Sequence, residues 1–484
     1  MTHADPDVPA APSRPADPRP AAPADLPSTL GALRASGHEY RTVAEEVRAN
    51  LLTRMRSGAD RFPGVLGFDD TVLPELERAL LAGHDVVVLG ERGQGKTRLI
   101  RAVAGLLDEW TPVVTGSEIN EHPYAPITPA TRRRVDALGD DLPVTWRHRS
   151  DRYGEKLATP DTSVGDLIGD IDPVKVAEGR SLGDPDTVHY GLVPRTNRGV
   201  FAVNELPDLA ERIQVALLNV LEERDIQVRG YQLRLPLDVL LLASANPEDY
   251  TNRGRIITPL KDRFGAEVRT HYPLEVADEV AVVVQEAALV APVPQHLLEV
   301  VARWTRGVRE SSSVDSRSGV SARFAISGAE TVAAGALRRG ALTGEDAPVA
   351  RIGDLPPAVP TLRGKVEFEM GEEGREEDVL THLLRVATVE VFRDRLAGAD
   401  LTGFTGAFAA GALVATGDGV ASQELLDALG PVAGLAKVLE RLGFPDAPSQ
   451  AEAASAVEFV LEGLHLTKRL SKELADDGRT LYGT

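Results

Sequence analysis

Eight residues, Gly90-Glu91-Arg92-Gly93-Gln94-Gly95-Lys96-Thr97, hold the spacing G-x-x-x-x-G-K-[ST] between the apolar run "VVVL" and a helical pattern. That spacing serves the grip on a chain of phosphates. A ring of inward-facing backbone N–H groups is needed, and glycine supplies the conformations closed to residues with a β-carbon. The helix that follows adds the partial positive charge of its N-terminus. Lys96 is placed to reach the β- and γ-phosphates of a nucleotide, and the Thr97 hydroxyl to ligate Mg²⁺.

A second stretch, "GVFAVNELPDL", ends an apolar strand on Asn204 and Glu205. In phosphate-transferring sites such a strand delivers two acids, one toward Mg²⁺ and one that polarises the attacking water. Glu205 keeps the second role. Asn204 can bind magnesium-held water through its amide oxygen but brings no negative charge, a change around a metal that costs about ten- to a hundredfold in affinity or activity. The bland alternative is a strand-end Asn that caps a helix beginning near Pro207. Further along, "LLLASANPEDY" ends a strand on Asn246, suited to orienting a water beside Glu205. Arg263 lies in "PLKDRFG" and Arg323 in "SGVSARFAISGAE", at the head of a helix. An arginine can stabilise charge growing on a transferred phosphoryl group. Taken singly, each arginine reads better as a surface or salt-bridge residue, and it is the ordered set that is specific.

Other chemistries find less support. His122, His148, His189 and His271 are scattered without a metal-binding spacing, and no G-x-S-x-G elbow is present. With no cysteine, disulfides and thiolate metal sites are excluded. The net charge of −20 argues against non-specific binding to nucleic acid, which depends on neutralising phosphates. No apolar run nears the roughly 20 residues that span a bilayer, and the first residues lack the pattern of a signal peptide. A cytoplasmic protein is expected.

The elements that must position these groups follow from hydrophobic period. Residues 1–28 read as a disordered Pro/Ala-rich tail. A helical pattern from about 29 to 60 carries Leu30, Leu33, Tyr40, Val43, Val47 and Leu51. Strands near 86–89, 112–115, 199–203, 238–244 and 266–271 alternate with amphipathic helices. That predicts an α/β core over 29–274, a parallel sheet with helices on both faces. An all-helical lid over 275–345, a Pro-rich and acidic linker over 346–376 and a helical C-terminal region over 377–484 complete the expected organisation. "GFTGAF", at Gly403 to Phe408, reads as a small-residue turn between helices.

In sum the motifs resemble AAA+ ATPases, within them the clade of magnesium-chelatase ATPase subunits and MoxR-type ATPases. The resemblance covers about residues 60–340. It rests on "RFPGVLGFDD", the phosphate loop, "VTGSEINEHPYAPI", "VGDLIGDIDP", "HYGLVPRTNRGVFAVNELPDL", "SANPEDY", "KDRFG" and "GVSARF". It implies an AAA+ P-loop NTPase core binding ATP and Mg²⁺, with Asn246 as sensor 1, Arg263 as a finger acting on a neighbouring subunit and Arg323 as sensor 2. It also implies a ring, expected as a hexamer, that remodels, matures or inserts metal into a protein client as a chaperone does, with a partner carrying a von Willebrand factor A domain. "ATPDTSVGDLIGDIDPVKVAEGRSLGDPDTVHYGLVPRTNRG" looks like that clade's insert in the second helix, and "IQVRGYQLRLPL" like its hairpin. The departure at Asn204 leaves open a nucleotide-gated regulatory or assembly module that barely hydrolyses ATP. A DNA-dependent motor is a lesser alternative.

Overall fold

The computed structural model describes residues 20–178, 187–228, 231–233, 235–247, 255–315, 319–476 and 478–483. Its strands are β1 (Val86–Leu89), β2 (Trp110–Val114), β3 (Val144–His148), β4 (Tyr153–Leu157), β5 (Gly169–Ile171), β6 (Val188–Tyr190), β7 (Gly199–Asn204), β8 (Ile226–Val228), β9 (Tyr231–Leu233), β10 (Val239–Ala245), β11 (Ala266–Arg269), β12 (Val414–Thr416), β13 (Ser471–Leu474) and β14 (Thr480–Gly483). Five of them make one sheet in the order β11-β1-β10-β7-β4, and each neighbouring pair in it is parallel.

Alternation along the central strands sorts the two faces. Val87, Leu89, Phe201, Val203, Leu241 and Ala243 point to one side, where Ile213 and Leu217 of the helix Glu211–Glu222 cover them. Val86, Val88, Val200, Ala202, Leu240 and Leu242 point to the other. There they meet three helices, α2 (Val43–Ser57), α3 (Val72–Ala82) and α4 (Lys96–Val103). A strand buried on both faces reads as a continuous apolar run, and β7 and β10 do.

The edge strand departs from expectation. The run near 112–115 does form a strand, β2, but it pairs antiparallel with β3 and stays out of the main sheet. The sheet's fifth place belongs to β4, "YGEKL", whose residues are partly buried or, at Leu157, exposed and make no apolar run. The segment expected as an insert within a helix is built from short pieces. Among the described residues between 158 and 198, the helices Val164–Leu167, Pro173–Ala177 and Leu192–Arg195 are four or five residues long, and β5 pairs with β6 as a hairpin. The second segment forms the hairpin that the resemblance implies, with Ile226 opposite Leu233. The helix expected over 29–60 is two, α1 (Leu30–Ala35) and α2, separated where Gly37 takes φ +74°, with Tyr40 between them.

Of the tail, residues 1–19 lie outside the described part. Beyond it, Trp146 Nε1 donates to Pro27 O at 2.8 Å and Val144 N to Ser28 O at 2.9 Å, so the chain is tied to β3 before its first helix.

Residues 276–483 form a second body around one core that runs from Val280 to Tyr482. The stretch expected as a linker is built into it. Val349, Ile352, Leu355, Val359 and Leu362 are buried there, and Arg339 meets Asp354 at 2.6 Å with both side chains enclosed. The acidic run farther along does face solvent around Met370, which is 98% exposed. "GFTGAF" is no turn: Phe404 and Phe408, one helical step apart on Thr402–Ala409, are both buried. The C-terminal region also carries a sheet that its helical pattern does not announce, in the order β12-β14-β13. Among the described residues no helix is long and apolar enough to cross a membrane.

Candidate nucleotide site

The loop after β1 curls because its glycines have no room or no conformational alternative. Gly93 and Gly95 sit at φ +77° and +74°, where a β-carbon is disfavoured. Gly90 has an ordinary φ, yet a β-carbon there would lie 1.9 Å from Thr270 Oγ1. Gln94 is turned into the loop, its Oε1 accepting from Glu91 N and from Thr270 Oγ1, both at 3.0 Å. Lys96 folds back over the loop, its Nζ donating to the carbonyls of Gly90 and Glu91 at 2.5 and 2.6 Å. These carbonyls hold the ammonium over the loop. Helix α4 begins at Lys96 without a side-chain cap, so its first N–H groups face the loop.

The loop opens into a cavity of about 910 Å³. Gly93 through Thr97 line it, and so do Asn204, Glu205, Asn246 and Arg323. Four separate segments of the chain thus deliver the expected groups to one place. Asn246 is buried just past the end of β10, and Arg323 stands in the first turn of the helix Ala322–Thr343, whose N-cap Ser321 accepts from Arg323 N at 3.2 Å. Glu205 takes φ +57°, an uncommon setting for a residue with a side chain, and its N–H donates to Ser244 Oγ at 3.2 Å. Arg263 does not line the cavity. It closes the short helix Thr258–Arg263 and bonds Glu222 Oε2 at 3.0 Å.

Asn204 does not cap the turn at Pro207. Its Nδ2 donates to Glu155 Oε1 at 2.5 Å, and its Oδ1 accepts from Ser244 Oγ at 3.2 Å. Glu155 comes from β4, the strand without an apolar signal, and it lines the same cavity. Arg101, on α4, grips its two oxygens at 2.8 and 2.9 Å, and Tyr153 donates to it at 2.9 Å. The Arg101 hydrogen bonds hold the Glu155 carboxyl below the usual carboxylate range, while burial pushes the Tyr153 phenol up. Sequence reasoning missed Glu155, and only its polarity in a short strand hinted at it. It also missed Lys365, which reaches the cavity from the stretch expected as a linker, and Glu367, which pairs with Arg92 of the loop at 3.9 Å.

A phosphate-loop strand at this position in a β11-β1-β10-β7-β4 parallel sheet, with a helical body at the mouth of its cleft, is the α/β arrangement of an AAA+ fold. In sequence the chain is similar to subunits of magnesium chelatase. It is 30% identical to the magnesium-chelatase subunit ChlI of Anabaena variabilis over 210 residues, which is 42% of this chain and 57% of that one. It is also 30% identical to the magnesium-chelatase 38 kDa subunit of Cereibacter sphaeroides over 215 residues, 42% and 56% of the two chains. The chain therefore spans a little more than half the length of these relatives. The family described as the Sigma-54 interaction domain matches residues 179–263. Among solved structures, NtrX from Brucella abortus in complex with ATP is 14% identical, covering 73% of this chain and 69% of that one at a TM-score of 0.40. A chain in the complex of magnesium-chelatase subunits BchI and BchD is 20% identical, covering 68% and 95% at a TM-score of 0.35.

Proposed function

We propose that this chain binds ATP with Mg²⁺ in the cleft between its two bodies and hydrolyses it. The supporting observation is the meeting of the phosphate loop, Asn204, Glu205, Asn246 and Arg323 around one cavity. Lys96 holds phosphate oxygens, exchanging the loop carbonyls for them. Glu205, exposed and held by its backbone at the cavity wall, accepts the proton of the attacking water, which Asn246 orients. Arg323 bonds the terminal phosphate from the helical body and reports its presence. Thr97 and, through water, Asn204 would hold the metal, which neutralises phosphate charge when bound. The set suits that ion, since a hydroxyl and an amide oxygen are hard donors of the kind magnesium takes alongside phosphate.

Arg263 acts in this reading on the nucleotide of a neighbouring copy, because it stands away from its own cavity. A ring follows, a hexamer by family likeness, working in the cytoplasm on a protein client. The client's remodelling, maturation or metal loading, and a von Willebrand factor A domain partner, come from that likeness. The neutral Asn204 favours a second reading, a nucleotide-gated module with little turnover. Measuring ATP affinity and steady-state turnover separates these. Lys96→Ala should weaken ATP binding at least about tenfold. Glu205→Gln should keep affinity within about threefold and lower turnover about 10²- to 10⁴-fold, the range for losing a general base. ATP binding untouched by Lys96→Ala overturns the site. A wild-type ring that binds ATP but has no turnover for Glu205→Gln to remove supports the gated module.

A further inference from the structure

We propose that Glu155 is the positioning residue that lets Asn204 serve the metal side of this cleft in place of an acid. The inference rests on reading the cleft as a Mg·ATP site. A carboxylate only accepts hydrogen bonds, so the Asn204 group facing Glu155 at 2.5 Å is its NH₂. The amide oxygen is thereby turned the other way, toward Ser244 Oγ at 3.2 Å. Without Glu155 nothing in this pairing would choose between the two orientations of the amide. One of them would present N–H groups where a metal-held water needs an acceptor.

Glu155 is itself held. The planar fork of Arg101 takes one bond to each oxygen, and Tyr153 adds a third. Arg101 sits on α4, one turn beyond Thr97, so the carboxylate is docked on the same helix that opens the phosphate loop. A hydrogen bond from an amide N–H to an anion also draws charge onto the amide oxygen, which strengthens it as an acceptor. The arrangement parallels the carboxylates that orient ligating side chains around metals. It explains the residue type at 204. An Asp there has no N–H to give, and two carboxylates in hydrogen-bond contact repel. Asn204 and Glu155 together carry one negative charge.

The test is the Mn²⁺ affinity of the ATP complex, read by electron paramagnetic resonance, with thermal unfolding of the metal-free protein alongside. Wild type, Glu155→Gln, Asn204→Asp and the double variant are compared. Glu155→Gln should weaken Mn²⁺ about ten- to a hundredfold, the cost of losing a group that orients a ligand. The double variant rebuilds the pair with charge and amide exchanged and should recover that loss. Asn204→Asp alone should lower the unfolding temperature without metal, and the double should restore it. Mn²⁺ affinity within twofold of wild type in Glu155→Gln overturns the inference. Should that single variant not fold, a double variant no more stable than Asn204→Asp overturns it instead. Failure of the ATPase reading looks different, since wild type would then show no ATP-dependent Mn²⁺ site.

Discussion

Gly93 of the phosphate loop and Ser321 of the helical body are packed so closely that a β-carbon on the glycine would lie 2.2 Å from Ser321 Oγ and 2.6 Å from its Cα. The two bodies therefore touch through the loop that would hold the nucleotide. Gly93→Ala meets both this contact and a φ of +77°. It should weaken ATP binding at least about tenfold, with the strained backbone adding about 1 kcal/mol or more of destabilisation. Calorimetric titration with ATP and a denaturant melt check both effects. Adding Ser321→Gly should not rescue it, because the serine Cα remains in the way.

Arg263 tests assembly. Arg263→Ala should cut turnover by about 10³-fold or more if the guanidinium stabilises charge on the transferred phosphoryl group. ATP affinity should hardly change, since this residue stands outside its own cavity. Mixing Arg263→Ala subunits with Glu205→Gln subunits should restore part of the activity at hybrid interfaces. No recovery in rings verified as mixed by native mass spectrometry counts against action across subunits.

His296 is enclosed between Phe444 and Phe459, and neither of its ring nitrogens has a hydrogen-bond partner. Burial pulls its pKa down from 6.5 to about 3. The unfolded chain then binds a proton that the folded one refuses. This part of stability is complete above pH 6.5 and is lost as pH falls toward 3. His296→Phe removes the unmet polar group and should stabilise the protein by about 1–3 kcal/mol at pH 7. The advantage should widen by about 2 kcal/mol at pH 5, as urea melts at the two values would register.

The Arg339–Asp354 pair ties the stretch expected as a linker to the helix Ala322–Thr343, and both side chains are almost wholly enclosed. Arg339→Ala leaves a buried carboxylate without its cation. A loss of about 3–5 kcal/mol is expected, measurable by chemical denaturation. Replacing both partners by apolar residues of similar volume should recover much of it.

How far the sequence reveals this molecule depends on how local each signal is. The phosphate loop is local: strand, glycines, lysine and helix lie within a few residues, and they fold as their spacing predicts. Strands β7 and β10 are legible because burial on both faces demands unbroken apolar runs. Strand β4 is hidden for the opposite reason. At a sheet edge its side chains need not be apolar, and Glu155 is there to bond Arg101 and Asn204, contacts set by pairing with distant segments. The stretch 346–366 hides likewise: its prolines suggest a connection, whereas Leu355, Val359 and Leu362 find their burial against helices from elsewhere in the chain. Short strands such as β12 leave too few residues to display a period.

Lys365 and Arg323 reach the cleft from a body whose apolar interior is continuous from Val280 to Tyr482. Both cations are thus rooted, among the described residues, in one packed core that extends to the last strand of the chain. Under the proposed reading, a phosphate engaging either side chain would bear on that whole core as on the short end of a lever arm.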